Sequence, residues 1–231
     1  MSKGFLTKAA TVADENDTGD APLTIDVVSD PVCPWCYVGH ASLGFALMAL
    51  SFEGPVALRY RPYRLAPDTP PGGEDREAVM VRKFPDEAQR AAMREALAEA
   101  ARAAGVSFDP GTPARLPDTT DAHRVIRWSH EGNHQREVAG AIFEAYWQRG
   151  EDIGEHDVLA AAASRGGMDG DDVARRLATD EDRDDVTQEA AAFRAGGVSS
   201  VPTFIVNETQ GFAGALPKDQ LLAAVRQSAA G

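Results

Sequence analysis

The sequence predicts an α/β fold interrupted by a large all-helical insertion. Short apolar, β-branched runs lie near both ends of the 231 residues, LTIDVVS and VALRYRPYRL early and VSSVPTFIVN late. Between them the chain reads as one helix after another. Strands so far apart in the chain complete one sheet only if the intervening helices form an insertion, so one domain with an inserted lobe accounts for the pattern better than two independent domains.

Each element follows from local chemistry. LTIDVVS (23–29) has the composition of a buried strand and stops at Asp30-Pro31. From Pro34 the stretch WCYVGHASLGFALMAL places Val38, Leu43, Leu47 and Leu50 at helical spacing, with Pro34 in the first turn, where its missing N–H costs nothing. VALRYRPYRL (56–65) returns as a second strand, giving a strand, helix, strand opening. PDTPPGGEDRE marks a loop leaving that unit. Beyond it, EAQRAAMREALAEAARAAG, TDAHRVIRWSH, HQREVAGAIFEAYWQRG, EHDVLAAAASRGG, DDVARRLAT and DDVTQEAAAFRAGG each carry an apolar stripe, and several end in glycine. Strand character returns at VSSVPTFIVN (198–207), followed by a glycine-containing turn, QGFAGALP, and an amphipathic helix, KDQLLAAVRQSA. The expected organisation is a disordered tail over 1–22, a first part of the α/β domain over 23–65, the insertion over 66–195 and the second part over 196–231.

A net charge of −13 and a pI near 4.8 repel phosphate backbones and anionic lipid, which argues against nucleic-acid and membrane roles. No stretch approaches the roughly 18 consecutive apolar residues of a membrane span. The first 22 residues lack the apolar run of a secretory signal, so a cytoplasmic protein with a frayed tail is expected.

The two cysteines, Cys33 and Cys36, stand in DPVCPWCYVG. In a cytosolic chain such a close pair is more often catalytic or metal-binding than structural. Residues three apart in a first helical turn share a face, with Cβ atoms roughly 5 to 6 Å apart, near enough for a disulfide after modest adjustment. The helix start supplies unpaired N–H groups and a partial positive charge that stabilise a thiolate, so Cys33 is the expected attacking sulfur. Cys36, one turn further in, is placed to resolve a mixed disulfide or close the internal bond. Trp35 is expected to cover one side of the pair and leave Cys33 open at the strand end. The bland alternative is two packed thiols. Val201-Pro202 opens an expected strand, where proline removes a ladder donor. A cis bond there would turn the chain beside the cysteines and leave Val201 backbone groups for an extended substrate; a trans proline at a sheet edge is the alternative.

The segments DPVCPWCYVG, TDAHRVIRW, GVSSVPTFIVN and GFAGALP, in this order, resemble the DsbA-family thioredoxin-like proteins of the FrnE type, over roughly residues 23 to 228. The resemblance implies a thioredoxin-like fold with a helical insertion, Cys33 as nucleophile, Cys36 as resolving cysteine and a cis-proline at Pro202. Pro34, Trp35, Val201 and Pro202 are then expected against the substrate. Related 2-hydroxychromene-2-carboxylate isomerases and kappa-class glutathione transferases carry serine at the position matching Cys33; this chain keeps both sulfurs. Some FrnE-type proteins have a further cysteine pair near the C-terminus, absent here, which excludes an internal relay of disulfides.

Other residues invite chemistry. HEGNH (130–134) matches the HExxH zinc pattern, but Gly132-Asn133 reads as a break between helices, whereas both imidazoles must share one helix face. A zinc site joining the cysteines to two histidines lacks finger-like spacing. Asp26 and Asp30 are candidates to relay a proton or to raise the pKa of a nearby thiol, against a reading as strand-end or solvated carboxylates. His123 either faces the site or is a hydrogen-bonded packing residue. The acidic run DEDRDD (180–185) reads as a solvated helix start.

The expected function is a thiol-disulfide oxidoreductase acting on protein or glutathione thiols and disulfides, with no metal and no cofactor beyond the Cys33-Cys36 pair itself, glutathione being a possible co-substrate. The alternative is a glutathione-dependent isomerase or transferase on a small aromatic substrate.

Overall fold

A computed structural model describes residues 22–230; the tail expected over 1–22 falls, but for Pro22, outside the described residues. Strand β1 (Leu23–Ser29) runs into helix α1 (Pro34–Leu50), and β2 (Val56–Pro62) returns parallel to β1, with Val27 opposite Tyr60. A two-residue ribbon pairs β3 (Glu74–Asp75) with β4 (Arg115–Leu116), and helices α2 (Arg76–Lys83) and α3 (Glu87–Ala104) lie between them. Helices α4 (Thr120–Trp128), α5 (Gln135–Trp147), α6 (His156–Arg165), α7 (Gly170–Leu177) and α8 (Arg183–Ala195) follow. Strands β5 (Thr203–Val206) and β6 (Gln210–Ala213) and helix α9 (Lys218–Ala230) complete the chain.

The main sheet has the order β2-β1-β5-β6, with β5 antiparallel to both neighbours. Strands near the two ends of the chain therefore build one mixed sheet, the thioredoxin-like core with a helical insertion that the sequence predicts. β1 is central and covered on both sides, which is why it reads as a nearly continuous apolar run; its last five residues are all buried.

Two departures concern strands. QGFAGALP, expected as a turn, contains β6. That strand lies at the sheet edge, and only Phe212 among its four residues is even half-buried, so it shows no alternation to read. Its hairpin is set by Asn207 and Glu208, both with positive φ (49° and 59°), and Phe212 stacks on Phe204 with ring centroids 5.2 Å apart. The β3–β4 ribbon, where no strand is expected, is too short for any periodicity.

The helices begin and end by local rules. Asp75 caps α2 at Ala78 N (2.7 Å), Asp86 caps α3 at Ala88 N (2.8 Å), and α3 stops at Gly105 in the left-handed region (φ 82°). The insertion is tied to β2, to α1 and to the turn between β1 and α1 by polar bonds. Trp147 Nε1 donates to Pro31 O (2.9 Å), Tyr60 N donates to Gln135 Oε1 (2.9 Å), and Gln148 Nε2 donates to Tyr37 Oη (2.6 Å). Arg124, fully buried, donates to the carbonyls of Glu181 (2.6 Å), Thr179 (2.7 Å) and Arg176 (3.1 Å) and pairs with Asp121 (2.7 Å). The acidic run before α8 is not simply solvated, because Asp182 Oδ2 accepts from the buried Trp128 Nε1 (2.8 Å).

Candidate active site at the start of helix α1

Cys33 is the N-cap of α1, with Pro34 at the first helical position. The turn from β1 is closed by Cys33 N donating to Asp30 O (2.9 Å), and the helix begins as Cys36 N and Tyr37 N donate to Cys33 O (3.1 and 3.3 Å). Both cysteines are free thiols. Cys36 lies beneath Cys33, and burial, the adjacent Cys33 and the charge of Asp30 together push its thiol well above the ordinary range. Cys33 is less open than the sequence suggests, 4 % exposed against 2 % for Cys36. A cleft reaches it.

The distant segment arrives at the same point. The Val201-Pro202 bond is cis, and Cys33 Sγ donates to Val201 O over 3.6 Å, across 168 positions of sequence. The approach depends on Gly39, where a Cβ would stand 2.8 Å from Pro202 Cγ, closer than packed carbons come. Tyr63 holds the segment leading from α8 into this turn, donating through its hydroxyl to Val198 O (3.2 Å), with Arg194 stacked 4.6 Å over its ring. Pro34, Trp35 and Val201 line a cavity of about 850 Å3 that opens on Cys33; Pro202 sits behind it against α1.

Asp30, fully buried, organises the floor. Its carboxylate accepts from Leu65 N (2.7 Å) and Val32 N (3.4 Å), joining the turn before Cys33 to the loop after β2. Burial outweighs these bonds and raises its pKa from 3.8 to about 6. His123 Nε2 stands 3.8 Å from Asp30 Oδ1 and bonds Tyr63 O at 3.0 Å, and burial lowers its pKa to about 4. His123 is therefore a packed, neutral, hydrogen-bonded residue beneath the site. Asp26 takes no part: it is bound by Arg59 (2.6 and 2.8 Å) and Arg61 (3.1 Å) in a network reaching Glu208 and Glu189.

The HEGNH segment does not lie on one helix. α4 ends at Trp128, α5 begins at Gln135, and Asn133 between them has φ 58°. Among the described residues no three His, Cys, Asp or Glu side chains group as a metal site.

The far wall of the cavity went unread in the sequence. Met80, Lys83, Phe84 and Met93, from α2, α3 and the loop joining them, line the cleft that Cys33 also lines. The available signal was REAVMVRK, a short helix with apolar residues but no buried one.

Residues 24–226 match the model of the DSBA-like thioredoxin domain. The uncharacterized protein YwbO of Bacillus subtilis (strain 168) is 27% identical over 187 residues, 80% of this chain and 87% of that protein. A probable DsbA oxidoreductase from Streptomyces coelicolor shares the fold with a TM-score of 0.78 at 24% identity, covering 89% of each chain. The cytosolic disulfide reductase DsbM from Pseudomonas aeruginosa with GSH does so with a TM-score of 0.61 at 18% identity, covering 90% of this chain and 96% of that one.

Proposed function

The chain belongs to the DSBA-like thioredoxin family and its Cys-X-X-Cys pair makes it a thiol-disulfide oxidoreductase; within that frame we propose that Cys33 is the nucleophile, Cys36 the resolving cysteine, and Pro34, Trp35 and Val201 the substrate cradle, with the cis Pro202 behind them presenting Val201 rather than touching substrate as expected. The carrying observation is Cys33 at the cap of α1, at the floor of a cleft that reaches it, with Cys36 buried behind it.

Cys33 thiolate attacks a disulfide RSSR′, forming Cys33–S–S–R and releasing R′S⁻, which takes up a proton. Cys36 is held as a thiol meanwhile, because its burial first, and then the neighbouring Cys33 and Asp30, oppose a negative charge on it. Once Cys33 is bonded to R its charge is gone, Cys36 gives up its proton and attacks Cys33 Sγ, and RS⁻ leaves as RSH. Two electrons pass from the dithiol to the substrate, and the reverse sequence oxidises two substrate thiols.

The FrnE type is the subgroup that the four quoted segments favour. Work in the cytoplasm, with the glutathione pool among the partners, is supported by the likeness to DsbM, a cytosolic disulfide reductase seen with GSH. Residues 66–195 serve as the insertion between the two parts of the domain, 23–65 and 196–231.

The test is trapping. Cys36→Ser is expected to accumulate a mixed disulfide on Cys33, detected by mass spectrometry and reversed by reductant, while Cys33→Ser loses exchange altogether. Exchange at the native rate in Cys33→Ser would end the assignment.

A further inference from the structure

The cleft beside Cys33 has a size, a lining and a charge that together select a substrate. At about 850 Å3 it falls in the range of small-ligand pockets, roughly 300 to 1,000 Å3. Cys33 lies at its floor, 4 % exposed, so a disulfide on the flat surface of a folded protein cannot reach Sγ. The outer wall is α2, a helix without a single buried residue, entered through Gly72 and Gly73, both with positive φ, and the β3–β4 ribbon. Its apolar side chains are not spent on the core. Met80 lines the cleft together with Phe84, Met93 and Trp35.

The rim is opposite in sign to the whole chain. Arg76, Arg82 and Lys83 stand against Asp68 and Glu74, in a protein of net charge −13. Arg82 is tied to Glu74 (3.0 Å), and Arg76 donates to Pro110 O (2.7 Å) and lies 5.0 Å over the Trp147 ring. Lys83, its ammonium 5.9 Å from the Phe84 ring, has no ion-pair partner among the described residues. A cation beside an apolar wall suits a ligand that is apolar next to its sulfur and anionic at its end.

We propose that the cleft takes a low-molecular-weight disulfide, or the corresponding thiol when the cysteines are oxidised, bearing an apolar ring-sized body and an anionic group. Met80, Phe84 and Met93 hold the body, and Lys83 faces the anion. The inference rests on Cys33 being the nucleophile. Its chemistry is a single turnover: the dithiol gives two electrons and two protons to RSSR, leaving two RSH and a Cys33-Cys36 disulfide.

The fully reduced protein is mixed with dithiobis(nitrobenzoate), dithiodipyridine, hydroxyethyl disulfide and insulin in separate stopped-flow or quenched-thiol experiments. Each second-order rate constant is divided by that of dithiothreitol with the same disulfide, which removes intrinsic reactivity. The nitrobenzoate probe is expected to exceed hydroxyethyl disulfide by at least about tenfold, with dithiodipyridine between them and insulin last. Lys83→Gln should narrow the gap between the nitrobenzoate and pyridine probes, and Met80→Ser with Met93→Ser the gap between the pyridine and hydroxyethyl probes. These residues are exposed or half-buried, so the variants fold. Equal normalised constants for all three small disulfides, or insulin reacting as fast as the nitrobenzoate probe, overturns the proposal while leaving the oxidoreductase reading intact. If Cys33→Ser reduces the probes as fast as the native protein, the nucleophile assignment fails and the substrate proposal falls with it.

Discussion

Asp30 and His123, 3.8 Å apart beneath the active site, titrate in opposite senses over the same acid range, so replacing either one should expose the other in the pH dependence of stability. Burial favours the neutral acid of Asp30 in the fold: its stabilising contribution is present below the ordinary 3.8 and lost as pH rises through about 6. Burial also favours neutral His123, whose contribution is present above the ordinary 6.5 and lost as pH falls through about 4. At roughly 1.4 kcal/mol per pH unit each span is worth about 3 kcal/mol, and the signs are opposed. The assay is urea unfolding of the reduced protein at intervals between about pH 4 and 7.5, for wild type, Asp30→Asn and His123→Gln. The stability of Asp30→Asn relative to wild type should rise by about 3 kcal/mol from the acid end to the neutral end, and that of His123→Gln should fall by a similar amount. Bonds lost with Asp30, such as that from Leu65 N, displace a curve without tilting it. Two flat difference curves would show that neither group is perturbed by the fold, and the account of the site floor would fail.

Gly39→Ala drives a carbon to within 2.8 Å of the Pro202 ring, which cannot swing aside as a flexible side chain would. It should cost about 1 to 3 kcal/mol and slow disulfide exchange by moving Val201 off Cys33, read by thermal unfolding and by the rate with a small disulfide. Full native stability and rate would show that this contact is dispensable. Arg124→Met strips the carbonyls of Arg176, Thr179 and Glu181 of their donor and leaves Asp121 without its buried partner. A loss of about 3 to 5 kcal/mol in urea unfolding is expected; a loss under about 1 kcal/mol would mean that the arginine does not hold α4 to the α7–α8 junction.

Much of the site was legible because its parts are local. The apolar run of β1, the proline at the first position of α1 and the spacing of Cys33 and Cys36 lie within fourteen consecutive residues, 23–36, and local rules suffice to place both thiols at a helix start. Val201-Pro202 stood out because proline at a strand start needs a reason. What stayed illegible depends on contacts that no local pattern encodes. β6 exists because β5 offers it an edge, not because QGFA alternates. Asp26 and Asp30 look alike in sequence, yet one faces two arginines from β2 and the other is sealed beneath the thiols with His123.

By itself, then, the sequence determined the class of the fold and the place of a Cys-X-X-Cys pair at a helix start, since these follow from periodicity, helix-start signals and three-residue spacing. Only the tertiary structure decided how open Cys33 is, which carboxyl group sits with Cys36 and which helix walls the cleft. Those properties arise where segments separated by tens to hundreds of residues meet, and burial and Coulomb interactions depend on distance in space, which chain order does not carry.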